Sequence, residues 1–124
     1  MNKDHSDVVF FPMENLEILT GLKKQSDFSR VYRQGRSKAD SLLVLYSLAR
    51  EEGAEARLGI SVSKKVGNSV VRHRIKRRLK EIARLNPGAF PEGRDFILIA
   101  RVKAAEADYH DLERSVLRLA AKIH

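Results

Sequence analysis

The sequence contains no cysteine, which excludes a disulfide framework, thiolate zinc sites and thiol catalysis together. Long apolar runs are also missing. The longest near the N-terminus, Val8 to Met13, is broken by Pro12 and is far too short to cross a bilayer. It lacks the basic flank and small-residue cleavage site of an export signal, so a soluble cytoplasmic chain with no membrane partner is expected. His5, His73, His110 and His124 stand far apart, and none has a ligating partner three or four residues on. Glu51 and Glu52 fall in a polar connection, and Glu81 and Asp95 do not extend them into the carboxylate set that two-metal phosphodiester cleavage needs. No Gly-rich phosphate loop and no Ser/His/Asp arrangement occurs. The expectation is a binding protein with no catalytic residue, metal ligand or cofactor motif of its own.

What is abundant is positive charge. The 124 residues hold 24 Lys and Arg against 16 Asp and Glu, a formal net charge of +8, and 43% of the residues are apolar. That suits one globular domain with a single core better than a disordered basic tail. The excess is concentrated. Between Arg57 and Arg84 ten basic side chains face one acid, Glu81, while the remaining residues carry fourteen cations and fifteen acids. A solvated helix face would mix the signs, whereas a field this one-sided attracts phosphates.

Residues 1–21 scatter Asp4, Asp7, Glu14 and Glu17 among short apolar groups without a sustained period, which reads as an N-terminal arm ahead of a single domain, 22–124. From Ser26 to Gln34 a short helix is expected, with Ser26 as its cap and Gly35 taking the left-handed conformation that stops it. Phe28, Val31 and Tyr32 then share one face. Ser41 to Ala49 reads as a strand, Arg50 to Ala56 as a polar connection, and Arg57 to Ser63 as the second strand of a hairpin. In that second strand Leu58, Ile60 and Val62 point one way, and the small residues Gly59, Ser61 and Ser63 the other. After Gly67 the period changes. Asn68 or Ser69 caps a helix to about Leu85, ended by Asn86-Pro87-Gly88, with Val71, Ile75, Leu79 and Ile82 as its buried stripe. His73, Arg77, Lys80 and Arg84 fall on the opposite side, with Arg74 and Lys76 flanking. Asp95 to Arg101 reads as a buried strand, and Asp108 caps a last helix carrying Leu112, Val116, Leu119 and Ile123. The order α-β-β-α-β-α implies an α/β fold of the α+β two-layer kind, with helices against a small mixed sheet.

The run Lys64-Lys65-Val66-Gly67-Asn68-Ser69-Val70-Val71-Arg72-His73-Arg74-Ile75-Lys76-Arg77 closely resembles the signature of the bacterial ribonuclease P protein subunit. Asp27-Phe28, Val31-Tyr32 and Gly35 resemble that family's first helix, and the strands around Tyr46, Gly59–Ser63 and Phe96–Arg101 follow in its order. The resemblance covers about residues 22 to 123. It implies a left-handed βαβ crossover through the basic helix, against the usual hand. It also implies a monomeric protein, one per catalytic RNA, assisting endonucleolytic removal of the 5′ leader of precursor tRNA. The RNA would carry the chemistry and hold the magnesium ions.

By the same resemblance, Lys64, Lys65, Asn68, Arg72, His73, Arg74, Lys76, Arg77 and Lys80 would bind the catalytic RNA, Arg72, Arg74, Lys76 and Arg77 near where the substrate is cut. The arginine fork suits phosphate and base edges. Phe28, Tyr32, Tyr46, Ser61 and Ser63 would line a cleft for the single-stranded leader, where aromatic faces stack on bases without sequence preference. His73 departs from the family, which has asparagine there. On spacing alone Phe28, Val31 and Tyr32 are core residues, Tyr46 is a strand aromatic, and Ser61 and Ser63 face water. A stand-alone metal nuclease and a general RNA-binding module remain the competing functions.

Overall fold

Two hydrophobic periods organise the chain around a five-stranded mixed sheet, seen in a computed structural model that describes residues 9–12 and 25–123. The elements are β1 (Val9–Pro12), α1 (Gln25–Gln34), β2 (Arg36–Ala39), β3 (Leu43–Ala49), β4 (Arg57–Ser61), α2 (Ser69–Leu85), β5 (Arg94–Ala100) and α3 (Tyr109–Ile123). Short 3-10 turns, Pro87–Ala89 and Val102–Glu106, flank β5. The strand order is β1-β4-β5-β3-β2. β4 and β5 pair in parallel across the α2 crossover, and every other pair is antiparallel. This is the small α+β sandwich with a mixed sheet that the pattern implied.

The expected hairpin between the strands ending at Ala49 and starting at Arg57 does not form. β5 lies between β3 and β4, pairing Tyr46 with Ile97 on one side and Gly59 with Ile97 on the other. The reason is burial: Asp95 to Leu98 are buried without a break, so β5 takes the middle of the sheet. The hairpin belongs instead to β2 and β3. All four side chains of β2 are exposed, so its sequence shows no apolar alternation to mark it as a strand. β1 likewise went unseen, and residues 9–12 of the expected arm pair antiparallel with β4, while the rest of 1–21 lies outside the described residues.

One face of the sheet carries α2 and α3. Leu43, Leu45, Leu58, Ile60, Phe96 and Leu98 meet Ile75, Leu79, Ile82, Leu112, Val116 and Leu119 there, all buried. The stripes foreseen on both helices are the ones used, with Val71 only partly buried. Asp108 caps α3: its Oδ1 accepts from the Asp111 N–H at 2.8 Å, and Asp111 Oδ2 accepts from the Asp108 N–H at 3.2 Å, a reciprocal box. The β2–β3 turn is pinned to α3 by Asp40. Its carboxylate accepts from the backbone N–H groups of Leu42 and Leu43 at 2.9 Å, from Ser115 Oγ at 2.6 Å and from Arg118 at 2.7 Å. Burial alone would raise the Asp40 pKa, but these hydrogen bonds together hold it down at about 2.

The opposite face carries α1, where among the described residues Val31 and Ile97 are fully buried, with Tyr32, Tyr46, Leu48 and Ile99 partly covered around them. Two local expectations at α1 change. The helix begins at Gln25, so Ser26 lies inside it rather than capping it. Gly35 is not left-handed, since among the described residues only Gly53 and Gly93 have positive φ. What Gly35 provides is proximity. A Cβ there would stand 2.6 Å from the Val31 carbonyl oxygen and 2.7 Å from that of Ser47, so the end of α1 lies directly on β3.

Candidate nucleic-acid interface

The basic helix is set by its cap and its stripe. Asn68 Oδ1 accepts from the Val71 N–H at 3.0 Å, and Ile75, Leu79, Ile82 and Ala83 are buried below. Ahead of it β4 runs into a turn in which Ser63 O accepts from Val66 N at 3.1 Å and Ser63 Oγ from Lys65 N at 3.3 Å. Lys64 and Lys65 are exposed on that turn, and Ser63 is half-buried. Asn68, although exposed, thus has its amide oxygen committed to the helix.

The cations of α2 divide into three groups. His73, Arg77 and Arg84 are exposed along the outer line, with Arg84 bound to Glu81 through two contacts at 3.1 and 2.6 Å. Those contacts from Arg84 hold the Glu81 carboxyl below its usual range. Arg72, Lys76 and Lys80 follow one flank, half-buried; the Arg72 Nε donates to the Gly67 carbonyl at 3.1 Å, folding its guanidinium over the cap turn. Burial, and then the neighbouring Lys76 charge, lowers the Lys80 pKa. Arg74 and Arg78 form the other flank and turn toward protein. Arg74 Nη2 donates to Ala105 O at 3.3 Å, and its Nε is buried without an acceptor; Arg78 Nη1 donates to Ala107 O at 3.4 Å. The resemblance puts Arg74 at the RNA with Arg72 and Arg77; in the structure its side chain also braces α2 against the connection from β5 to α3.

On the α1 face, Tyr32 and Tyr46 meet edge to face with ring centroids 4.9 Å apart, both half-buried. Tyr32 comes from α1 next to Val31, and Tyr46 stands in the row Gly59–Ile97–Tyr46 across the sheet. The Phe28 side chain lies outside the described residues. Ser61, expected at the wall of this cleft, is only 1% exposed and sits beside Ile99 in the β4–β5 pair, so its hydroxyl does not reach the surface.

Sequence reasoning missed the charge cluster on this same face. Asp95, fully buried, accepts from Arg57 Nε at 2.9 Å and from Arg57 Nη2 at 2.7 Å. Arg50 stands 3.4 Å from it and Arg30, on α1, 3.9 Å. Three elements are therefore tied to β5 through one carboxylate, next to the row that holds Tyr46. The available signal was a lone acid opening an otherwise apolar strand, a position that demands a cationic partner once buried. Among the described residues no group of three or more histidine or carboxylate side chains is placed to hold a metal ion.

Comparison with known proteins agrees with these features. A family model described as Ribonuclease P matches residues 18–124. The chain is 48% identical over 101 residues to the ribonuclease P protein component of Natranaerobius thermophilus, spanning 82% of this chain and 87% of that one. It is 45% identical over 102 residues to that of Alkaliphilus metalliredigens, spanning 82% and 91%. Among solved structures, the ribonuclease P protein of Staphylococcus aureus superposes with a TM-score of 0.74 at 36% identity, covering 82% of this chain and 94% of the other. That of Thermotoga maritima gives 0.74 at 30% identity, covering 83% and 96%.

Proposed function

This chain belongs to the family of bacterial ribonuclease P protein components, and from that premise we propose that it binds a catalytic RNA and the 5′ leader of precursor tRNA. It assists removal of the leader and leaves the phosphodiester chemistry, and the magnesium ions, to the RNA. The protein acts as a monomer, one copy per RNA, in the cytoplasm. The observation that carries this reading is the one-sided α2: an apolar stripe packed against the sheet, His73 and Arg77 exposed on the outer line, Arg72, Lys76 and Lys80 half-buried along one flank, and Lys64 and Lys65 exposed on the turn ahead of it. A rigid helix positioned in this way presents cations without first having to order them, so the charge is available for phosphate contacts. The Tyr32–Tyr46 pair supports a second role, as a surface on which unpaired leader bases stack without sequence readout.

Reconstitution at low magnesium tests the reading. Adding the protein to the catalytic RNA is expected to tighten binding of precursor over mature tRNA and to restore cleavage, while the RNA-free protein cleaves nothing. Cleavage by the protein alone would establish a metal nuclease instead. Equal affinity for precursor and mature tRNA would reduce the chain to a general RNA-binding module.

A further inference from the structure

Two histidines lie among the described residues, and they differ in their surroundings. His110, on α3, has its Nδ1 3.7 Å from a Glu113 oxygen. His73, exposed on the outer line of α2, makes no hydrogen bond or ion pair among the described residues. It stands about 200° around the helix from the buried Ile75. Arg72 and Arg74 adjoin it in the chain, Lys76 and Arg77 follow one turn on, and the uncharged Ser69 and Val70 lie one turn back. Glu81, the acid of α2, is eight residues away, about 12 Å along the axis, and is held by Arg84. The elements packed against α2 bring no partner either. β4 offers Arg57, bound to Asp95, and Pro87–Ala89 carries no charge. Val102–Glu106 holds Lys103 and Glu106, neither paired with His73. On α3, Asp111 is engaged with Asp108 and Arg114, Glu113 faces His110, Arg118 is on Asp40, and Lys122 is in the last turn. The turn ahead of α2 adds only the cations Lys64 and Lys65.

A neutral imidazole offers one N–H and one lone-pair nitrogen, and the lone pair repels a phosphate oxygen. Protonated, it offers two N–H donors and a positive charge. The change between these forms ordinarily falls between about pH 5 and about pH 8, and a nearby opposite charge favours the cation. At His73 the described protein surface supplies no such charge, so a ligand must bring it. We propose that docking of the catalytic RNA sets a backbone phosphate against His73, and that the imidazole takes up one proton from solvent as the contact forms. RNA affinity then rises as pH falls. The bound form is the protonated one, so the added affinity is complete in acid and is lost as pH rises through the point where the bound imidazolium gives up its proton. Arginine stays charged throughout this range, so Arg72 and Arg77 fix where the RNA sits while His73 makes part of its hold conditional. This assignment rests on the RNA-docking reading above and adds the control of that same surface by pH.

The test is assembly of the full chain with the catalytic RNA at fixed magnesium, from about pH 5.5 to about pH 8.5. Affinity of the parent protein is expected to rise by about fivefold to tenfold toward the acid end, the size of a shift of about one pKa unit on binding. The slope of log affinity against log salt steepens by about 0.7 to 0.9 over the same range, for one more phosphate contact. Binding heats compared in two buffers of different ionisation enthalpy count the proton directly. His73→Asn keeps a donor and an acceptor but cannot take a proton, so it loses both the pH trend and the proton uptake. His73→Lys holds the tighter affinity across the range. A pH trend of the same size in His73→Asn would put the proton on the RNA or on another side chain and overturn the proposal. So would a parent affinity that stays flat with pH while Arg77→Ala still weakens binding. If the parent protein binds no catalytic RNA at any pH, the RNA-docking reading falls, and this proposal with it.

Discussion

Among the described residues, the two faces of the sheet bury very different amounts of apolar surface. Under α2 and α3, leucine, isoleucine, valine and phenylalanine side chains interlock with almost none of their surface left in water. Under α1, Val31 and Ile97 are, among the described residues, the only fully buried members of the cluster, and Tyr32 and Tyr46 remain half open. What fastens α1 in addition is polar: Arg30 reaching Asp95, and Gly35 allowing the helix end onto Ser47. Among the described residues, one face therefore holds most of the buried apolar contacts, and the other leaves its aromatics half open.

The strongest challenge to that contrast is Leu79→Ala. Leu79 is fully buried beneath α2, and its truncation is expected to lower stability by about 3 kcal/mol, measured by denaturant unfolding. A loss below about 1 kcal/mol would mean that the helical face is not the main core. Next in size is the Asp40 anchor of the same face. Its folded pKa of about 2 lies below the ordinary aspartate value, so its contribution is complete above about pH 4 and is lost as pH falls toward 2. The amount is about 2 kcal/mol, and Asp40→Asn should remove this segment of the stability-against-pH curve.

On the other face, Tyr46→Ala is expected to cost less stability than Leu79→Ala while weakening affinity for leader-bearing precursor by about 1 kcal/mol or more. Unfolding of this variant would assign Tyr46 to the core. The finest test separates the two sides of α2. Arg77→Ala should lower the slope of log affinity for the catalytic RNA against log salt by about 0.7 to 0.9 and leave stability unchanged. Arg74→Ala should do the reverse, with an unchanged slope and a stability loss of about 1 kcal/mol from the lost bond to Ala105.

These contrasts also explain which parts of the molecule were legible in advance. α2 and α3 could be read because a single buried stripe and a strong cap each left a periodic mark, from Ile75 to Ile82 and from Asp108 to Ile123. β2 could not, because Arg36-Ser37-Lys38-Ala39 buries nothing and an edge strand is defined by its partner's hydrogen bonds. The false hairpin followed from the same blindness, since chain proximity favours neighbours whereas the Asp95–Leu98 run belongs between them. At the interface, helical position placed Arg77 outward and Arg74 on a flank. Whether a flank arginine meets RNA or a carbonyl depends on the 3-10 turn at Val102–Glu106, more than twenty residues on. Gly35 was singled out correctly for the wrong property, because closeness to Ser47 is a tertiary fact.

The exposed edge strand has a consequence of its own. Opposite β1, among the described residues, the sheet ends at β2, an edge strand whose exposed side chains include Arg36 and Lys38. Like charges set at that border discourage a second molecule from zipping onto it and seeding aggregates. Copies of the chain are thereby discouraged from pairing edge to edge as their concentration rises.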